Sequence, residues 1–553
     1  MSKVENEVRI DLHVHSSYSD KPFSWFLRSA NAAECYTAPD KVYETATRRG
    51  MNLITLTDHD TIDGALELRA RYDNTFLSEE VSARFPEDGC IVHTIALDIT
   101  EEQHRELQRL RRNIYELVSY MDQEDIPYFW CHPFSDVNRR LTPSHVERCF
   151  LMFRVLELRN GTRDKVHEDR LVSMLEELTP DQLCRWAERY PQTPTINLDA
   201  KYALTGGSDD HGGIAIARAY TTFSGEASAA GLRLALRESA TTPNGEAGKG
   251  TTLAHNCYGV TAGYFASRGQ FGTGDDKSKV SLPLLTLLGD RKRRIEQGGG
   301  AISRDELSSH GHTSAYQDEL YNHVEPALVG GWRSAFEGLL GALGHGRVTE
   351  AADGVSDLIK SLLFELPYIL AHRWHVRDRE VANRLYKSFD FNRPLAKSVR
   401  VAILTDTIDD VDGVAIGLRR LHAEARRWGL HLDLVGSSDC ERAHYDQDGV
   451  FRVPSVFEHR IAEYSQYAWK VPHLPALLRY ISDQRIDLIQ CSTPGPVGIV
   501  GMIAGRLTGV PVIGQFHTDL PEYTLRLTGD PTVAGMMRGF VSWFYRCMDH
   551  TLV

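Results

Sequence analysis

Residues 8–16 read VRIDLHVHS and combine a strand-like pattern with two histidines spaced two residues apart. Residues two apart in a strand project from the same face, so His13 and His15 are predicted to point together if residues 8–12 lead in as a strand. Two neutral imidazoles on one face suit a divalent ion such as Zn, Mn or Fe. The stretch therefore predicts a strand that delivers metal ligands at its carboxyl end.

Other strand-like runs end at ligand-type side chains in the same way. Residues 52–57 read NLITLT, a short apolar and β-branched run that is typical of a buried strand, and His59 follows it closely. Similar runs carry or precede further ligand-type residues: Glu80, His93, His132, Glu157, Asp209 and His211. Functional groups at strand carboxyl ends, with helical stretches between the strands, are typical of a (β/α) barrel.

The order of these motifs resembles the PHP (polymerase and histidinol phosphatase) superfamily. The resemblance covers about residues 8–225 and rests on DLHVHS, TDHD, a Glu-Val-Ser, an isolated histidine, CHP and GGSDDH. It implies a distorted (β/α)7 barrel that binds two to three divalent metal ions (Zn, Mn or Fe). By motif, one ion takes His13, His15, Glu80 and Asp209, a second shares Glu80 and adds His93 and His132, and a third takes Asp20, His59 and His211. Asp20 in the third set resembles the nucleotide-phosphatase branch of the superfamily.

Several neighbouring carboxylates leave alternatives open. Glu79 adjoins Glu80, and the family pattern of Glu, apolar residue, Ser or Thr favours Glu80 as the shared ligand. Asp58 is expected either to bind metal or to orient a ligand from behind it. Asp60 is expected either to bind metal or to cap the next helix, and Asp210 is expected to be solvated.

The implied activity is hydrolysis of a phosphomonoester or nucleotide-type phosphoester. The ions would neutralise phosphate oxygens and lower the pKa of a bridging water to about 7, so a hydroxide between the ions that share Glu80 is the expected nucleophile, with His132 also in the catalytic centre. Four arginines near ligand-bearing strand ends are expected either to meet a phosphate or to form surface salt bridges: Arg139, Arg140, Arg159 and Arg163.

This segment has two alternatives to an independent phosphoesterase. One is a non-catalytic, metal-binding regulatory module, but the complete set of nine ligands favours a catalyst. A polymerase-associated proofreading module fits poorly because no polymerase segment follows. The net charge of −13 argues against a stable nucleic-acid complex, although a nucleotide remains a candidate substrate.

Bulk composition places the chain among ordinary globular proteins. Its 553 residues are enough for roughly three to five domains. The nine cysteines include no Cys-x-x-Cys pair, which favours reduced thiols and a cytoplasmic location. We expect no signal peptide, and residues 358–370 are too short and too polar for a transmembrane segment.

The chain is predicted to have three parts: a metal-dependent hydrolase domain at residues 1–228, a mainly helical connector at 229–396 and a Rossmann-like domain at 397–553. In the connector, residues 241–245 are expected to form a loop. Apolar residues at spacing four predict a helix over residues 314–343, which Pro326 should kink or divide, and Pro367 should kink or end the next helix. Four histidines lack convincing carboxylate partners for a second metal site: His310, His312, His372 and His375.

The C-terminal part alternates strands and helices, which predicts a doubly wound parallel sheet. It resembles the N-terminal half of a retaining GT-B glycosyltransferase of group 4, on TDTIDDVDGVA, STPGPVG and QFHTDLPEY. The resemblance implies a nucleotide-sugar donor, with Gly413 near its diphosphate, His517 facing the transferred sugar and Tyr523 lining the acceptor side. The alternatives are an ordinary turn glycine at 413 and a strand-end polar residue at 517.

The family's second, donor-binding Rossmann domain has no counterpart in the 553 residues. Either the sequence is a piece of a longer protein or this half has lost its activity. We expect the first, with a phosphoesterase fused to a glycosyltransferase. The sugar acceptor and the phosphoester are not predicted by any motif.

Overall fold

The computed structural model describes residues 7–20, 32–199, 201–268, 315–389, 399–461 and 464–553. The chain divides into two compact units. The first comprises Met1–Tyr316 and Asp378–Arg393, and the second comprises Gln317–Arg377 and Pro394–Val553. The predicted connector is thus shared between the two units, while its functional boundaries at 228 and 396 stay a prediction.

The first unit contains two β-sheets. Its strands are β1 (Glu7–Ile10), β2 (Ser78–Arg84), β3 (Ile91–Leu97), β4 (Tyr128–Trp130), β5 (Val155–Asn160), β6 (Ala203–Gly207), β7 (Ala219–Ser224) and β8 (Thr242–Gly245). Strands β2 to β6 form one sheet in chain order, and β1, β7 and β8 form an antiparallel sheet. Pairing is antiparallel from β2 to β4 and parallel from β4 to β6.

Helices separate most of these strands. They are α1 (Pro39–Arg48), α2 (Asp63–Arg69), α3 (Glu101–Leu110), α4 (Ile114–Gln123), α5 (Pro143–Met152), α6 (Lys165–Glu177), α7 (Pro180–Arg189), α8 (Ala229–Arg237) and α9 (Gly250–Ser267). Polar caps explain several starts: the side chain of Thr100 accepts from the backbone of Gln103 before α3, and Asp164 accepts from Val166 before α6.

Extended segments beyond β1 and β6 continue the hydrogen-bonding order. Single β-bridges join three pairs: Val14 with Asp210, Ile54 with Thr75, and His59 with Glu80. The backbone N–H of Thr57 donates to the carbonyl of Val14 over 2.9 Å, and that of Asp209 donates to the carbonyl of His13 over 2.6 Å. Residues 11–15 therefore lie between the segment that ends at His59 and the segment that follows β6.

The core beneath these strands explains why they alternate. Val8, Ile10 and Leu12 are buried and pack with Phe129 and Ile95 in one cluster. Burial of each such side chain contributes about 1.5–3 kcal/mol. Alternate positions are thereby fixed toward the core, and the polar residues that follow are brought to one end of the strands.

Residues 242–245, which we predicted to be a loop, form strand β8 instead. They pair antiparallel with β7, Thr221 lying opposite Pro243 and Ala219 opposite Gly245. A proline lacks an N–H donor, so it is tolerated at the edge of a sheet, and β8 is the edge of its sheet. Local composition misleads here because Pro and Gly also mark edge strands.

The second unit begins with long helices. These are α10 (Ala315–Gly344) and α11 (Val348–Lys387), whose last residues belong to the first unit. Both helices continue past their prolines, Pro326 and Pro367, so the predictions of two shorter helices and of a helix end are wrong. The rings of Tyr321 and Tyr368 pack with centroids 5.0 Å apart and both side chains are buried, so the two helices have tertiary contacts near their prolines.

A sheet of mainly parallel strands makes up the rest of the second unit. Its strands are β9 (Val401–Leu404), β10 (Leu432–Ser438), β11 (His444–Tyr445), β12 (Phe451–Ile461), β13 (Tyr464–Pro472), β14 (Leu488–Cys491), β15 (Val512–Gln515) and β16 (His550–Leu552). Its helices are α12 (Gly413–Arg427), α13 (Leu474–Asp483), α14 (Pro496–Thr508), α15 (Leu520–Thr528) and α16 (Pro531–Arg546). The parallel strands follow the order β12-β10-β9-β14-β15-β16, so the chain reverses direction across the sheet between β9 and β14. Strands β11 and β13 pair antiparallel with β12. The order of the parallel strands confirms the predicted Rossmann-like sheet.

Two bulk properties complete the description. All nine cysteines are free thiols. Within the described ranges, no helix combines the length and the apolar character needed to cross a membrane. The cytoplasmic location stays a prediction.

Candidate functional sites

Glu80 lies at the centre of a group of imidazoles in the first unit. Its Oε1 lies 2.6 Å from Nδ1 of His93 and 3.3 Å from Nε2 of His132. The distances from its Oε2 to other imidazole nitrogens are 3.2 Å to His13, 3.2 Å to His15 and 3.1 Å to His59. Each carboxylate oxygen thus faces its own set of histidines, as a carboxylate shared between two ions would.

Asp209 supplies a second carboxylate to the same cluster. Its Oδ1 lies 3.4 Å from Nε2 of His13, 3.5 Å from Nε2 of His15 and 3.7 Å from Nδ1 of His211. Its backbone adopts a φ of 49°, in the left-handed region that non-glycine residues rarely enter. The hydroxyl of Thr162 donates to Oδ2 of Asp209 over 2.7 Å. Oδ2 is therefore engaged by Thr162, and Oδ1 is the oxygen that faces the histidines.

Among the described residues, ligand atoms converge in groups whose members lie within 4.8 Å of one another. The groups are His15, His59 and His211; His13, His15 and Asp209; His13, Glu80 and His132; and His59, Glu80 and His93. Eight of the nine residues predicted as metal ligands therefore meet at one place. The ninth, Asp20, is exposed and belongs to none of these groups.

The donor chemistry fits divalent cations. Within the described part of the chain, Nε2 of His15 and Nε2 of His211 are buried and lack a hydrogen-bond partner. The rings of His15 and His211 stack with centroids 4.0 Å apart. This arrangement would be repulsive if both imidazoles were protonated. Buried nitrogens that face carboxylates without hydrogen-bonding geometry are suited to ions placed between them.

Charge within the cluster favours ionised carboxylates. Burial opposes ionisation of Glu80, but His59, His93 and His13 outweigh it and hold the pKa of that carboxyl well below its usual range. Asp209 behaves likewise, since the attraction of His13 overcomes burial and its pKa falls well below the ordinary value. Both carboxylates are therefore anionic at neutral pH, as metal ligands must be.

Glu157 supports the cluster from behind. Its Oε1 hydrogen-bonds Nδ1 of His13 at 2.9 Å, and its Oε2 accepts from the backbone N–H of His132 at 2.7 Å and from Asn160 at 2.9 Å. A carboxylate in this position fixes the tautomer of a ligating histidine and orients its ring. Glu157 thus links two ligand-bearing segments.

The alternatives for Asp58 and Asp60 are resolved by their partners. Asp58 is buried and accepts from the Ser16 backbone and from Ser19, whose Oγ lies 3.1 Å from Nδ1 of His15. It therefore orients a histidine rather than joining the ligand groups. Asp60 accepts from Arg111 over 2.6 Å, and the residue that caps α2 is Ile62, so the capping role predicted as one alternative for Asp60 is wrong.

Two further carboxylates also face away from the cluster. Glu79 accepts from Gln108 over 2.7 Å and lies 2.9 Å from Nδ1 of His104. Asp210, which we expected to be solvated, is buried and accepts from the backbone of Gly213 and Ala215, so that expectation is wrong. Its short side chain caps backbone donors of the following loop, a role that sequence spacing alone does not reveal.

Glu34 reaches the cluster although the sequence did not single it out. Its Oε2 is buried and lies 3.8 Å from Nε2 of His59, and burial raises the pKa of its carboxyl to about 7. Glu34 lies in a loop before α1, with no strand pattern to indicate its direction. Glu34 therefore lies near His59, where the sequence had predicted Asp20.

One of the four candidate arginines borders the cluster. A pocket beside His132 and Glu157 is lined by Arg163 and His167. Asp378 contacts both residues, at 3.8 Å from Arg163 and 2.9 Å from His167. The other three arginines are engaged or exposed elsewhere: Arg159 pairs with Glu168, Arg140 bonds the Asp88 carbonyl, and Arg139 is exposed.

The second unit gathers polar groups at the carboxyl ends of its central strands. After β9, Asp406 accepts from the hydroxyl of Thr493 over 2.6 Å and from the backbone of Val497, near the start of α14, over 2.9 Å. Burial raises the pKa of this carboxyl to about 6 despite those hydrogen bonds. The pairing fixes the loops on both sides of the point where the strand order reverses, where ligands bind in such sheets.

Gly413 and His517 lie at this same edge. Gly413 is the first residue of α12, and a Cβ placed on it would meet no atom within 4 Å. Neither crowding nor a positive φ explains a glycine there, and the open space beside a helix N-terminus suits an anion. His517 is exposed after β15, and the partial desolvation of its ring lowers its pKa. The charge of Asp412, the cap of α12, opposes that shift. Tyr523 is exposed on α15.

Comparison with known proteins identifies this part of the second unit. Residues 411–553 match the model of Glycosyltransferase Family 4. They form a family 4 glycosyltransferase domain. The prediction made from TDTIDDVDGVA, STPGPVG and QFHTDLPEY is thereby confirmed.

Curated relatives agree with the family 4 domain. The chain is 26% identical over 130 residues to an alpha-monoglucosyldiacylglycerol synthase of Streptococcus pneumoniae, which is 23% of this chain and 28% of that protein. It is 30% identical over 162 residues to a GDP-mannose-dependent alpha-mannosyltransferase of Mycobacterium tuberculosis, which is 28% of this chain and 41% of that protein. The chain thus spans well under half the length of these relatives.

Solved structures also resemble part of the chain. One is a protein proposed to be a metal-dependent phosphoesterase from Bifidobacterium adolescentis, with a TM-score of 0.26. Another is an amidohydrolase from Chromobacterium violaceum, with a TM-score of 0.24. Each is 16% identical and covers 36% of this chain and 87% of its own. TM-scores this low do not support a functional assignment, so the chemistry of the first unit has to be inferred from its own residues.

Proposed function

We propose that the first unit is a PHP-type phosphoesterase that binds two to three divalent ions around Glu80 and hydrolyses a phosphomonoester or a nucleotide-type phosphoester. The observation that supports it most is that the two oxygens of Glu80 face different histidines, His93 and His132 on one side and His13, His15 and His59 on the other. The (β/α)7 barrel proposed for this unit is supported by the bridges that extend β1 and β6.

The residues divide into ligands and supports. One ion would be held by His13, His15, Glu80 and Asp209. A second would be held by Glu80, His93 and His132, which lie around Oε1 of Glu80. A third would take His59 and His211 with Glu34 or Asp20. Bound ions would neutralise phosphate oxygens and supply hydroxide at neutral pH by lowering the pKa of a water to about 7.

Arg163 is proposed to bind the phosphate. Its guanidinium lines the pocket beside His132, and its planar donors suit two phosphate oxygens at once. Hydrolysis forms a bond from the water oxygen to phosphorus and breaks the ester P–O bond, releasing phosphate and an alcohol. Glu157 would keep His13 and His132 in place throughout.

The experiment is a hydrolysis assay of the 553-residue chain against phosphomonoesters, nucleoside bisphosphates and short oligonucleotides. Glu80→Gln should abolish turnover of whichever class is cut. Glu79→Gln is the matched control, because Glu79 is equally buried but bonds His104 and Gln108. Full turnover in Glu80→Gln would refute the proposed role of Glu80.

A second function is favoured by the family match of residues 411–553. We propose that these residues take part in sugar transfer from a nucleotide-sugar donor, with Gly413 near the donor diphosphate and His517 facing the transferred sugar. Support comes from the open space at Gly413 and from the position of His517 after β15, at the same edge of the sheet. The names of the relatives suggest GDP-mannose as a donor and diacylglycerol lipids as acceptors for the first assays. In an assay of the longer protein that the sequence predicts, donor hydrolysis or transfer should fall in Gly413→Val and His517→Ala. Unchanged rates in both variants would contradict these roles.

The alternative for the first unit is a metal-binding regulatory module without catalysis. Its support is the complete burial of the His13, His15 and Glu80 side chains, which leaves substrate little direct access to them. Bound metal with no turnover on any substrate class in the assay above would favour this alternative.

A further inference from the structure

We propose that Asp378, near the C-terminal end of α11, is a positioning residue of the first unit: it holds Arg163 and His167 in place beside His132, so that a phosphate group can bind in the pocket that they line. Asp378 belongs to the first unit although it lies within the connector predicted at residues 229–396. This role rests on the phosphoesterase proposed above and adds a residue that none of its sequence motifs includes.

Asp378 faces two basic side chains with one carboxylate oxygen. Its Oδ2 lies 2.9 Å from Nε2 of His167 and 3.8 Å from a guanidinium nitrogen of Arg163. The three side chains are between 6% and 14% exposed, so water screens the attraction between them only weakly. Removing the acid from such a group leaves buried positive charge without compensation, and the basic side chains would then move.

His167 connects Asp378 to the loop that carries a metal ligand. Its Nδ1 donates to the carbonyl of Pro133 over 3.2 Å, because a carbonyl oxygen can only accept. A lone pair on Nε2 would be repelled by the carboxylate of Asp378, so Nε2 also carries a proton. Burial opposes that second proton, but the charge of Asp378 outweighs burial and raises the pKa of His167. Asp378 thus holds an imidazolium against the residue that follows His132.

The longer distance to Arg163 suits a guanidinium that has to accept a ligand. At 3.8 Å the guanidinium nitrogen and Oδ2 of Asp378 attract each other without forming a hydrogen bond. A phosphate oxygen therefore need not displace a hydrogen bond between them. The attraction keeps the guanidinium in the wall of the pocket beside His132 and Glu157. A side chain that is oriented before the ligand arrives loses less entropy on binding.

The end of α11 is anchored to α6 by further contacts. Arg379 lies 3.2 Å from Asp164, which caps α6. Arg170 donates to the side-chain oxygen of Asn383 over 2.7 Å, and its guanidinium lies 5.3 Å from the ring centre of Tyr386. Positions 379, 383 and 386 lie on one face of the helix, because they are spaced by four and then three residues. These contacts dock this end of α11 without help from the residues that face the phosphate.

Binding of inorganic phosphate to the full chain supplied with Mn, measured by calorimetry, tests this role without requiring turnover. Asp378→Asn keeps the size of the side chain but removes its charge, and should weaken phosphate binding by about tenfold. Asn383→Ala is the matched control, because it removes a contact of the same helix end with Arg170 and should leave phosphate affinity unchanged. Asp378→Glu keeps the charge and should bind phosphate more tightly than Asp378→Asn. All three variants should retain the metal content of the wild type.

A double variant tests whether Asp378 acts through Arg163. If it does, the loss of binding free energy in Asp378→Asn combined with Arg163→Ala should be smaller than the sum of the two single losses. Additive losses would overturn the positioning role. Equal phosphate affinity in the wild type and Asp378→Asn, or an equal fall in Asn383→Ala, would overturn it as well.

The positioning role and the phosphoesterase can fail separately. If an ester is hydrolysed while Asp378→Asn binds phosphate as tightly as the wild type, the positioning role is wrong and the phosphoesterase stands. If no ester is hydrolysed but phosphate affinity falls in Asp378→Asn and not in Asn383→Ala, the positioning role stands and the hydrolytic activity is wrong. A wild type that does not bind phosphate would overturn the positioning role.

Discussion

Glu157 and His13 form a buried hydrogen bond of 2.9 Å between Oε1 and Nδ1. Because Nδ1 is engaged, Nε2 of His13 is left facing Glu80, 3.2 Å away, and Asp209, 3.4 Å away. The second oxygen of Glu157 holds the backbone of His132. One carboxylate on β5 therefore sets the direction of ligands that come from two other segments.

Glu157→Gln should weaken metal binding without unfolding the protein. The amide keeps the size of the side chain but loses the negative charge that orients the imidazole, a change that typically costs about 10–100-fold in metal affinity. Titration with Zn or Mn under competing chelator measures this loss. Glu168→Gln is the control, because Glu168 lines the same pocket but pairs with Arg159. Equal affinity in wild type and Glu157→Gln would contradict the supporting role.

Glu34→Gln should remove one metal equivalent per chain, while Asp20→Asn should leave metal content unchanged. The reason is position: Oε2 of Glu34 is buried and lies 3.8 Å from Nε2 of His59, whereas Asp20 is exposed. Elemental analysis of both purified variants decides between them. Loss of metal in Asp20→Asn alone would restore the assignment made from the sequence.

The sequence predicted the ligand histidines because each follows from strand geometry. His13 and His15 share a face through the two-residue period of a strand, and His59 and His132 follow apolar runs. Glu34 could not be predicted in this way, since it lies in a loop whose direction depends on tertiary packing. Asp58 and Glu157 were visible as candidates, but their orienting roles depend on Ser19 and His13, which are distant in the chain.

The sheet of the second unit was predictable for a similar reason. A buried parallel strand such as β9, with the sequence VAIL, reads as a continuous apolar run, which local sequence reveals. The strand β8 was missed because Pro243 and Gly245 also mark turns, and its pairing with β7 is decided by neighbours. Helices α10 and α11 outlast their prolines because tertiary contacts such as Tyr321 with Tyr368 outweigh local propensity.

Arg163→Ala should raise KM for the phosphoester by about tenfold or more and leave metal content unchanged. Arg163 borders the pocket beside His132, so its loss removes a charge-assisted contact to the substrate. Steady-state kinetics with parallel elemental analysis separates the two quantities. Arg139→Ala serves as the control because Arg139 is exposed. If KM rises equally in both variants, Arg163 has no specific role.

Asp406 should make the stability of the second unit fall as pH rises from about 4 to above 6. Burial raises the folded-state pKa of this carboxyl to about 6, against about 3.9 in an unfolded chain. The folded state therefore holds the proton more tightly, and the advantage present below pH 4 is lost as pH passes 6. The shift corresponds to about 3 kcal/mol at most.

Asp406→Asn should flatten this pH dependence, since the amide stays neutral. Its oxygen can still accept from the backbone of Val497, and its amino group can donate to the hydroxyl oxygen of Thr493. Urea unfolding between pH 4 and 7 measures the free energy of unfolding of the second unit in the wild type and in Asp406→Asn. Asp487→Asn is a suitable control, because Asp487 also accepts a backbone N–H beside a strand of the same sheet, from Arg400 over 3.1 Å. The same slope in wild type and Asp406→Asn would contradict the assignment.

The central claim is that a histidine cluster organised by Glu80 binds metal. The most direct measurement is elemental analysis of the purified 553-residue chain beside Glu80→Gln and Glu79→Gln. The account predicts two to three divalent ions in the wild type and in Glu79→Gln, and at most one in Glu80→Gln. A wild type without metal, or a Glu80→Gln variant with the full complement, would contradict it.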